Sequence, residues 1–501
     1  MKSPALFVSG RVARTNIVAT CAFGLLSACT AGPDFEEPSK PASLHYDQSA
    51  ENQLAAADGV PGIQRISVGR KVDGDWWSAF ASAKLDDVMH RAIEGNLDLA
   101  AADATIAQAS EAVRAAEGAR YPQVDYGAQI GRQRAAGSPQ PTTSSLYAIG
   151  PQVSFDLDVF GGTKRLVERQ GALADLQKHR FEAAYLTLTG DVASQAILEA
   201  SARTQIDAVQ VLLADDRKNL ELVGKAHLTG SVTRVDVALA ESQFSQDQTL
   251  LPPLAQQRDA ARHALSVLAG EGPADWVAPD FDLADFVLPA DLPVSLPSEL
   301  AHDRPDIQGA EAELHAASAA IGVATADLYP HLTLSASLTQ AATGPGSLFE
   351  AGSTLWSIGA GLAGPIFHGG TLEADRRAAV DGYQAALANY RQTVVKSLGQ
   401  VADELQAISH DAEQYAAQER ALAAARTSLR LNQEGYRLGE TGVLQVLDAE
   451  RAYQQALLGH IRAETARYLD TTQLAVALGG NSVGTVPQRT ARRDEQEDSE
   501  L

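Results

Sequence analysis

The residue with the clearest chemistry is Cys29. It closes the run Leu26-Ser27-Ala28-Cys29, behind a short apolar segment from Ile17 to Leu26 and a leader carrying Lys2, Arg11 and Arg14. Small residues before a thiol suit a signal peptidase, and the run looks like a bacterial lipoprotein cleavage box, with the Cys29 sulfur then carrying a diacylglycerol. The apolar segment is too short to span a bilayer. Cys21 falls inside the leader, so the mature chain keeps only Cys29 and can form no internal disulfide. Other chemistry has no residues to carry it. No Gly-rich loop ends in Lys-Ser/Thr to cradle a phosphate. The eleven His include no i, i+4 pair and no HExxH, which leaves a metal site without support. No G-x-S-x-G elbow occurs. The expectation is a chain with no catalytic residues, no metal and no cofactor.

Composition narrows the class further. The 501 residues carry a formal charge of −23, which becomes −26 once Lys2, Arg11 and Arg14 leave with the leader. A nucleic-acid binder would need a basic face, so nucleic acid is not expected as a partner. No apolar run in the remainder is long enough for a spanning helix. A chain that crosses a membrane would do so as strands.

The elements that position these residues come in two copies. The stretch LGETGVLQVLDAE, Leu438 to Glu450, interrupts a long helical run free of proline from Pro365 to Pro487. Gly439 and Gly442 make it the tip of a helical hairpin. The same tip stands earlier as LTGSVTRVDVALAE, Leu228 to Glu241: Gly230, Val237, Ala240 and Glu241 answer Gly439, Val446, Ala449 and Glu450, each 209 residues on. Tyr121-Pro122 and Gly161-Gly162 recur as Tyr329-Pro330 and Gly369-Gly370, each 208 on. The spacing predicts a leader over 1–28 and an acylated, extended arm over 29–84, plugged onto the body by Asp75-Trp76-Trp77 and Phe80. A first repeat follows over 85–297 and a second over 298–482, with a disordered tail over 483–501.

Within each repeat the period changes. Val124, Tyr126, Ala128 and Ile130 alternate with polar residues, as do Val153, Phe155, Leu157 and Val159, which predicts strands over about 122–132 and 146–160. The second repeat predicts strands over about 330–340 and 354–364. Long helices are expected over 162–228 and 232–270, and over 369–438 and 442–478. Leu251-Pro252-Pro253-Leu254 should kink or break the second of these, and residues 271–297 read as a linker without period. Leu387, Tyr390, Val394, Leu398, Val401, Leu405 and Ile408 advance by a mean of 3.5, a coiled-coil period.

Four strands of about ten residues match a tilted bilayer crossing. Four cannot close, and an open edge is not tolerated in lipid. The strands must then be pooled by copies of the chain, eight in a dimer or twelve in a trimer. The alternative is a soluble sheet covered on one face.

At this point the residues resemble a known family. Gly32-Pro33-Asp34-Phe35 after the lipid box, Arg304-Pro305-Asp306-Ile307, Ile321-Gly322-Val323-Ala324 before Tyr329-Pro330, and the two tips are similar to the TolC-type outer membrane factors. Leu251-Pro252-Pro253-Leu254 and Arg262-His263-Ala264-Leu265 are similar to the NodT-type efflux lipoprotein branch. Thr30 after the Cys, in place of Asp, resembles sorting to the outer membrane of a Gram-negative cell. The resemblance implies a mainly α chain with a transmembrane β-barrel: a homotrimer with a 12-stranded barrel and a periplasmic α-helical tunnel. It further implies an outer-membrane channel subunit of a tripartite efflux system. Its partners would be outer-membrane lipid, a periplasmic adaptor (membrane fusion) protein and an inner-membrane pump of the resistance–nodulation–division type.

The family closes its tunnel near the tips, and the matching residues here are Leu444 and Asp448, one turn apart on one helix face. The first repeat offers Val235 and Leu239 at those positions, with Arg234 and Asp236 as neighbours for a latch. Two other functions compete: the duct of a type I protein secretion system, and a lipid-anchored periplasmic scaffold. A scaffold would become soluble as Cys29→Ala; a duct would still need detergent.

Overall fold

The structure, a computed structural model, describes residues 30–39, 43–56, 64–136 and 142–480. The leader, Cys29 and the tail over 483–501 lie outside them. The chain divides into two units, one from residues up to Pro38 with Thr105–Gln177 and Gly309–Arg391, the other from Ser39–Ala104, Lys178–Gln308 and the chain from Gln392 onward.

The first unit is built on a four-stranded sheet. Its strands are β2 (Gln123–Ala135), β3 (Thr142–Leu157), β5 (His331–Ala342) and β6 (Thr354–Ala363), paired antiparallel in the order β2-β3-β5-β6. Directly paired residues share a face. One row across the sheet reads Val124, Val153, Ala336, Ile358; the next reads Asp125, Gln152, Ser337, Ser357. The polar face is knitted by its own side chains: the Ser337 and Ser357 hydroxyls are 2.9 Å apart, and Thr333 donates to Asp156 at 2.5 Å. The apolar face lies open on its outer strands among the described residues. Val124, Tyr126 and Ile130 on one outer strand are 68–80% exposed, and all ten residues of β6 are exposed. β2 and β6 each have one pairing edge without a strand among the described residues.

The alternation predicts 146–160 for the second strand, which instead ends at Leu157. The Asp158 carboxylate turns away to accept the N–H groups of Thr163 and Lys164, at 3.0 and 2.7 Å, and so opens the next helix. At the other end Thr143, Ser144 and Ser145, counted as loop by composition, pair with Arg134, Gln133 and Arg132.

Two of the sequence motifs meet in this unit. Arg165 is buried, and donates to the carbonyls of Ala31 and Gly32 and to Asp34 (2.7 Å) and Glu168 (2.8 Å). Gly32 has φ +81, and a Cβ there would stand 2.4 Å from the Cα of Gly322. Phe35 stacks on His315 with centroids 4.4 Å apart. The Gly32-Pro33-Asp34-Phe35 and Ile321-Gly322 motifs are two sides of one seat for the chain start.

The second unit is helical. It includes α1 (Gln48–Ala56), α2 (Ala83–Gly95) and the start of α3 (Leu97–Gly118). Most of α4 (Gly162–Leu228) belongs to it, with α5 (Arg234–Gln248), α6 (Leu251–Leu268), α7 (Pro297–Asp303) and the beginning of α8 (Pro305–Ala326). Most of α9 (Thr371–Leu438) and all of α10 (Val443–Ala477) complete it. Its core gathers Trp76, Trp77, Phe80, Phe281, Phe286 and Tyr468. Of the coiled-coil stripe, Tyr390, Val394, Val401, Leu405 and Ile408 are buried, and Leu387 and Leu398 are half-buried.

Two expectations change here, and a third is located. The arm over 29–84 is not extended throughout, because it contains α1 and a strand, β1 (Arg65–Val68). The linker 271–297 supplies the partner, β4 (Asp291–Val294), in a parallel pair. Four-residue strands brought together from the arm and from the end of the first repeat carry no local period to read. The break expected in the helix over 232–270 falls at Thr249 and Leu250, just ahead of the prolines. Pro252 and Pro253 then occupy the first turn of α6, where a missing N–H costs nothing.

Candidate gate at the helical hairpin tips

Both tips close in the same way. Gly230 and Gly439 each have φ +78, the left-handed conformation that ends a helix. Ser231 N–H donates to Ala226 O and Glu440 N–H to Gly435 O, at 2.9 and 2.8 Å. Restarting differs between repeats. Thr233 caps α5 in a reciprocal box with Asp236, whereas Gly442, at the start of α10, has an extended φ of −88 that any residue adopts. Asp236 is therefore occupied by its cap and is not placed as a latch. Behind the tips, Val443 and Leu447 pack with Val223 of α4, bordered by Val232, Val237 and Tyr436.

Leu444 and Asp448 point away from that cluster. Leu444 is 51% exposed, and the Asp448 side chain is 60% exposed. Val235 and Leu239 of the first repeat are exposed as well. Asp448 makes a 3.3 Å ion pair with Arg451, and Arg451 also donates to Gln243 of α5 at 3.2 Å. A pair this exposed contributes under about 1 kcal/mol. Arg451 is one side chain that ties α10 to α5 beside the candidate gate, and it was not singled out by the tip motif.

Just behind lies a group of buried acids. Asp216 on α4, Asp247 on α5 and Glu450 on α10 are all nearly covered, and one oxygen each of Asp216 and Glu450 has no partner. Asp247 accepts from Gln243 and Gln454 at 2.9 and 2.6 Å, and Glu450 accepts from Asn219. Burial, then the hydrogen bond and charge of Asp247, push the Asp216 carboxyl up to about 8. Burial likewise lifts Glu450 to about 7, against hydrogen bonds from Gln433 and Asn219 that lower it. A signal was available: in Val209, Leu212, Asp216, Asn219, Val223 the 3.5-residue stripe of α4 runs through an acid. Among the described residues no group of three or more His, Cys, Asp or Glu is arranged to hold a metal ion.

These protons set a pH dependence. The folded chain keeps a proton on Asp216 up to about 8, whereas an unfolded Asp releases it near pH 4. The Asp216 contribution to stability is therefore fully present below about pH 4 and is lost as pH rises through that window, by up to about 1.4 kcal/mol per pH unit for one proton. Asp216→Asn should flatten the fall. Apparent unfolding temperatures in detergent at pH 5 and pH 8 check this, and equal falls in both proteins would show Asp216 ionised throughout.

Two halves of the chain, residues 88–271 and 296–480, each match the outer membrane efflux protein family, in step with the duplication of tips and hairpins. The chain is a member of that family, and thus an outer-membrane protein of the efflux-channel class. Among its relatives is the pyoverdine export outer membrane protein OpmQ of Pseudomonas putida, 30% identical over 428 residues, 83% of this chain and 90% of that one. Nodulation protein T of Rhizobium leguminosarum bv. trifolii is 28% identical and covers 92% of this chain and 96% of its own. The solved outer-membrane channel OprN superposes with a TM-score of 0.83 at 25% identity, over 90% of this chain and 99% of that one.

Proposed function

We propose that this chain is the channel subunit of a tripartite efflux system, conducting its cargo passively from a periplasmic adaptor and an inner-membrane pump to the exterior. Three copies pool four strands each into a twelve-stranded barrel, the helical hairpins form the periplasmic tunnel, and Cys29 carries the lipid anchor. The single observation behind this is the open sheet. Its strands are 10 to 16 residues long, its two outer edges are free among the described residues, and its apolar face is bare. A ten-residue strand measures about 33 Å, and at a tilt near 45° it spans the apolar band of an outer-membrane barrel. No helix among the described residues is long and apolar enough to cross a membrane. Energy must come from a partner, since the chain has no nucleotide loop. The family favours this reading over a soluble scaffold, and relatives named for pyoverdine export favour it over a protein-secretion duct.

In this reading Leu444 forms an apolar ring and Asp448 an anionic ring, with Gly230, Gly439 and Gly442 at the tips that flank them. Purified protein in planar bilayers should show small, cation-selective openings. Asp448→Ala should raise single-channel conductance about twofold or more and weaken block by multivalent cations. Unchanged conductance with unchanged block would take Asp448 out of the gate.

A further inference from the structure

The chain contains a rehearsal of its own subunit contact. β3 and β5, the strands that join the two repeats, meet edge to edge, with Leu157 opposite Leu332 as the last pair. Three residues beyond, in the same register, Phe160 stacks face to face on Tyr329 at 4.6 Å and 14°. The stack caps the seam where one repeat gives way to the next. In a ring of copies, the next such seam lies between β6 of one chain and β2 of its neighbour. The residues that repeat Tyr329-Pro330 at the entry to β2 are Tyr121-Pro122. The aromatic leaving β6 ahead of the paired glycines is Phe367, as Phe160 is after β3. Neither has a ring partner among the described residues, and Tyr121 is 68% and Phe367 87% exposed.

We infer that Phe367 of one copy stacks on Tyr121 of the next, and that this stack sets the strand register between subunits. Keeping the relation of stack to ladder places Leu362 opposite the neighbour's Tyr126, Ala360 opposite its Ala128 and Ile358 opposite its Ile130. Each pairing joins two residues of the apolar face, so the face runs on unbroken around the ring. The neighbouring aromatic, His368, would fail this test, because its register turns β6 over. The pairing also brings Arg132 of the neighbour opposite Trp356, a cation against an exposed indole.

The geometry of a closed barrel agrees. The row Val124, Val153, Ala336, Ile358 then returns to β2 at Ile130, a climb of six residues for each copy. Three such climbs around twelve strands give a tilt of about 45°, from rises of about 3.3 Å and strand spacings of about 4.8 Å. Slipping to Ile358 opposite Arg132 steepens the tilt to about 55°, outside the range of membrane strands.

This inference rests on the trimeric reading, and the test separates the two. Ile130→Cys with Ile358→Cys, oxidised by copper(II)–phenanthroline in cell envelopes, should yield dimers and trimers on non-reducing gels that collapse with reductant. Ile358→Cys paired with Ala128→Cys or Arg132→Cys should stay monomeric. Crosslinking through either of those pairs in place of the central one would overturn the register. No crosslink from any pair, with three copies by native mass spectrometry, would overturn it and leave the trimer standing. One copy by mass would end the trimer itself. Tyr121→Ala and Phe367→Ala should each lower the temperature at which the oligomer dissociates in SDS, and the double variant should go no lower than the worse single one. Additive losses would deny the stack.

Discussion

Gly150→Val should leave at least about tenfold less oligomer in the outer-membrane fraction. Gly150 lies on β3 at its seam with β5, and a Cβ there would stand 2.0 Å from the carbonyl oxygen of Leu338 and 2.8 Å from the Cα of Thr339. Both obstacles are backbone, so β5 itself would have to move. The ladder has no slack to give at that point. Pro151 follows without an N–H to donate, and the β3–β5 pairing already skips from Ile149–Gln340 to Gln152–Ser337. Gly127→Val is the control, since Gly127 is paired with Gly150 across β2 yet its added Cβ meets nothing within 4 Å. Immunoblots of fractionated envelopes decide it. Wild-type amounts of Gly150→Val oligomer would show that the seam opens without cost.

Arg304→Ala should lower stability by about 2–3 kcal/mol, the range for losing hydrogen bonds from a buried charged group whose partner, Asp306, is itself partly exposed. Arg304 is 8% exposed, and its guanidinium is used on three sides. It donates to Asp306 through two nitrogens at 2.9 and 2.7 Å, to Gln400 of α9, and to the carbonyl of Ala477 at 2.6 Å, where α10 ends. Its backbone is extended ahead of Pro305, so the chain can stop α7 and restart α8 there. Gly479, at φ +91, lies so close that a Cβ would press on the Arg304 stem. Without the guanidinium, the last carbonyl of α10 loses its side-chain donor and the Asp306 carboxylate keeps only the Ile307 N–H and the Ser397 hydroxyl. Arg304→Lys should recover less than half, because one ammonium cannot reach all three partners. Because a protein of this class unfolds irreversibly, the readout is hydrogen exchange at the end of α10 and the start of α8, with inactivation half-life at fixed temperature. Protection equal to wild type would leave Arg304 without this role.

The Arg304-Pro305-Asp306-Ile307 motif shows what a sequence conceals. Its resemblance was plain, but its task depends on Ala477 and Gln400, which lie far along the chain. Periodic features were legible. The strand alternation, the coiled-coil stripe of α9 and the glycine tips each repeat a local rule, and a duplicated chain states each rule twice. Features made by distant partners were not. β1 and β4 are too short to show a period, and α1 is nine residues long. The buried acids were hidden among 63 acidic residues, because charge alone does not say which carboxylates lose water. At the candidate gate, helix spacing placed Leu444 and Asp448 on one face, whereas the Arg451 tie to Gln243 needed the second hairpin beside it.

The two repeats are alike in order but not in their returning helices. One is jointed at Thr249 and Leu250, into stretches of 15 and 18 residues, and the other runs straight for 35. In the trimer proposed above, the ring would therefore offer six hairpin posts of two alternating makes. An adaptor gripping every post of that ring would meet two dissimilar seats, three of each.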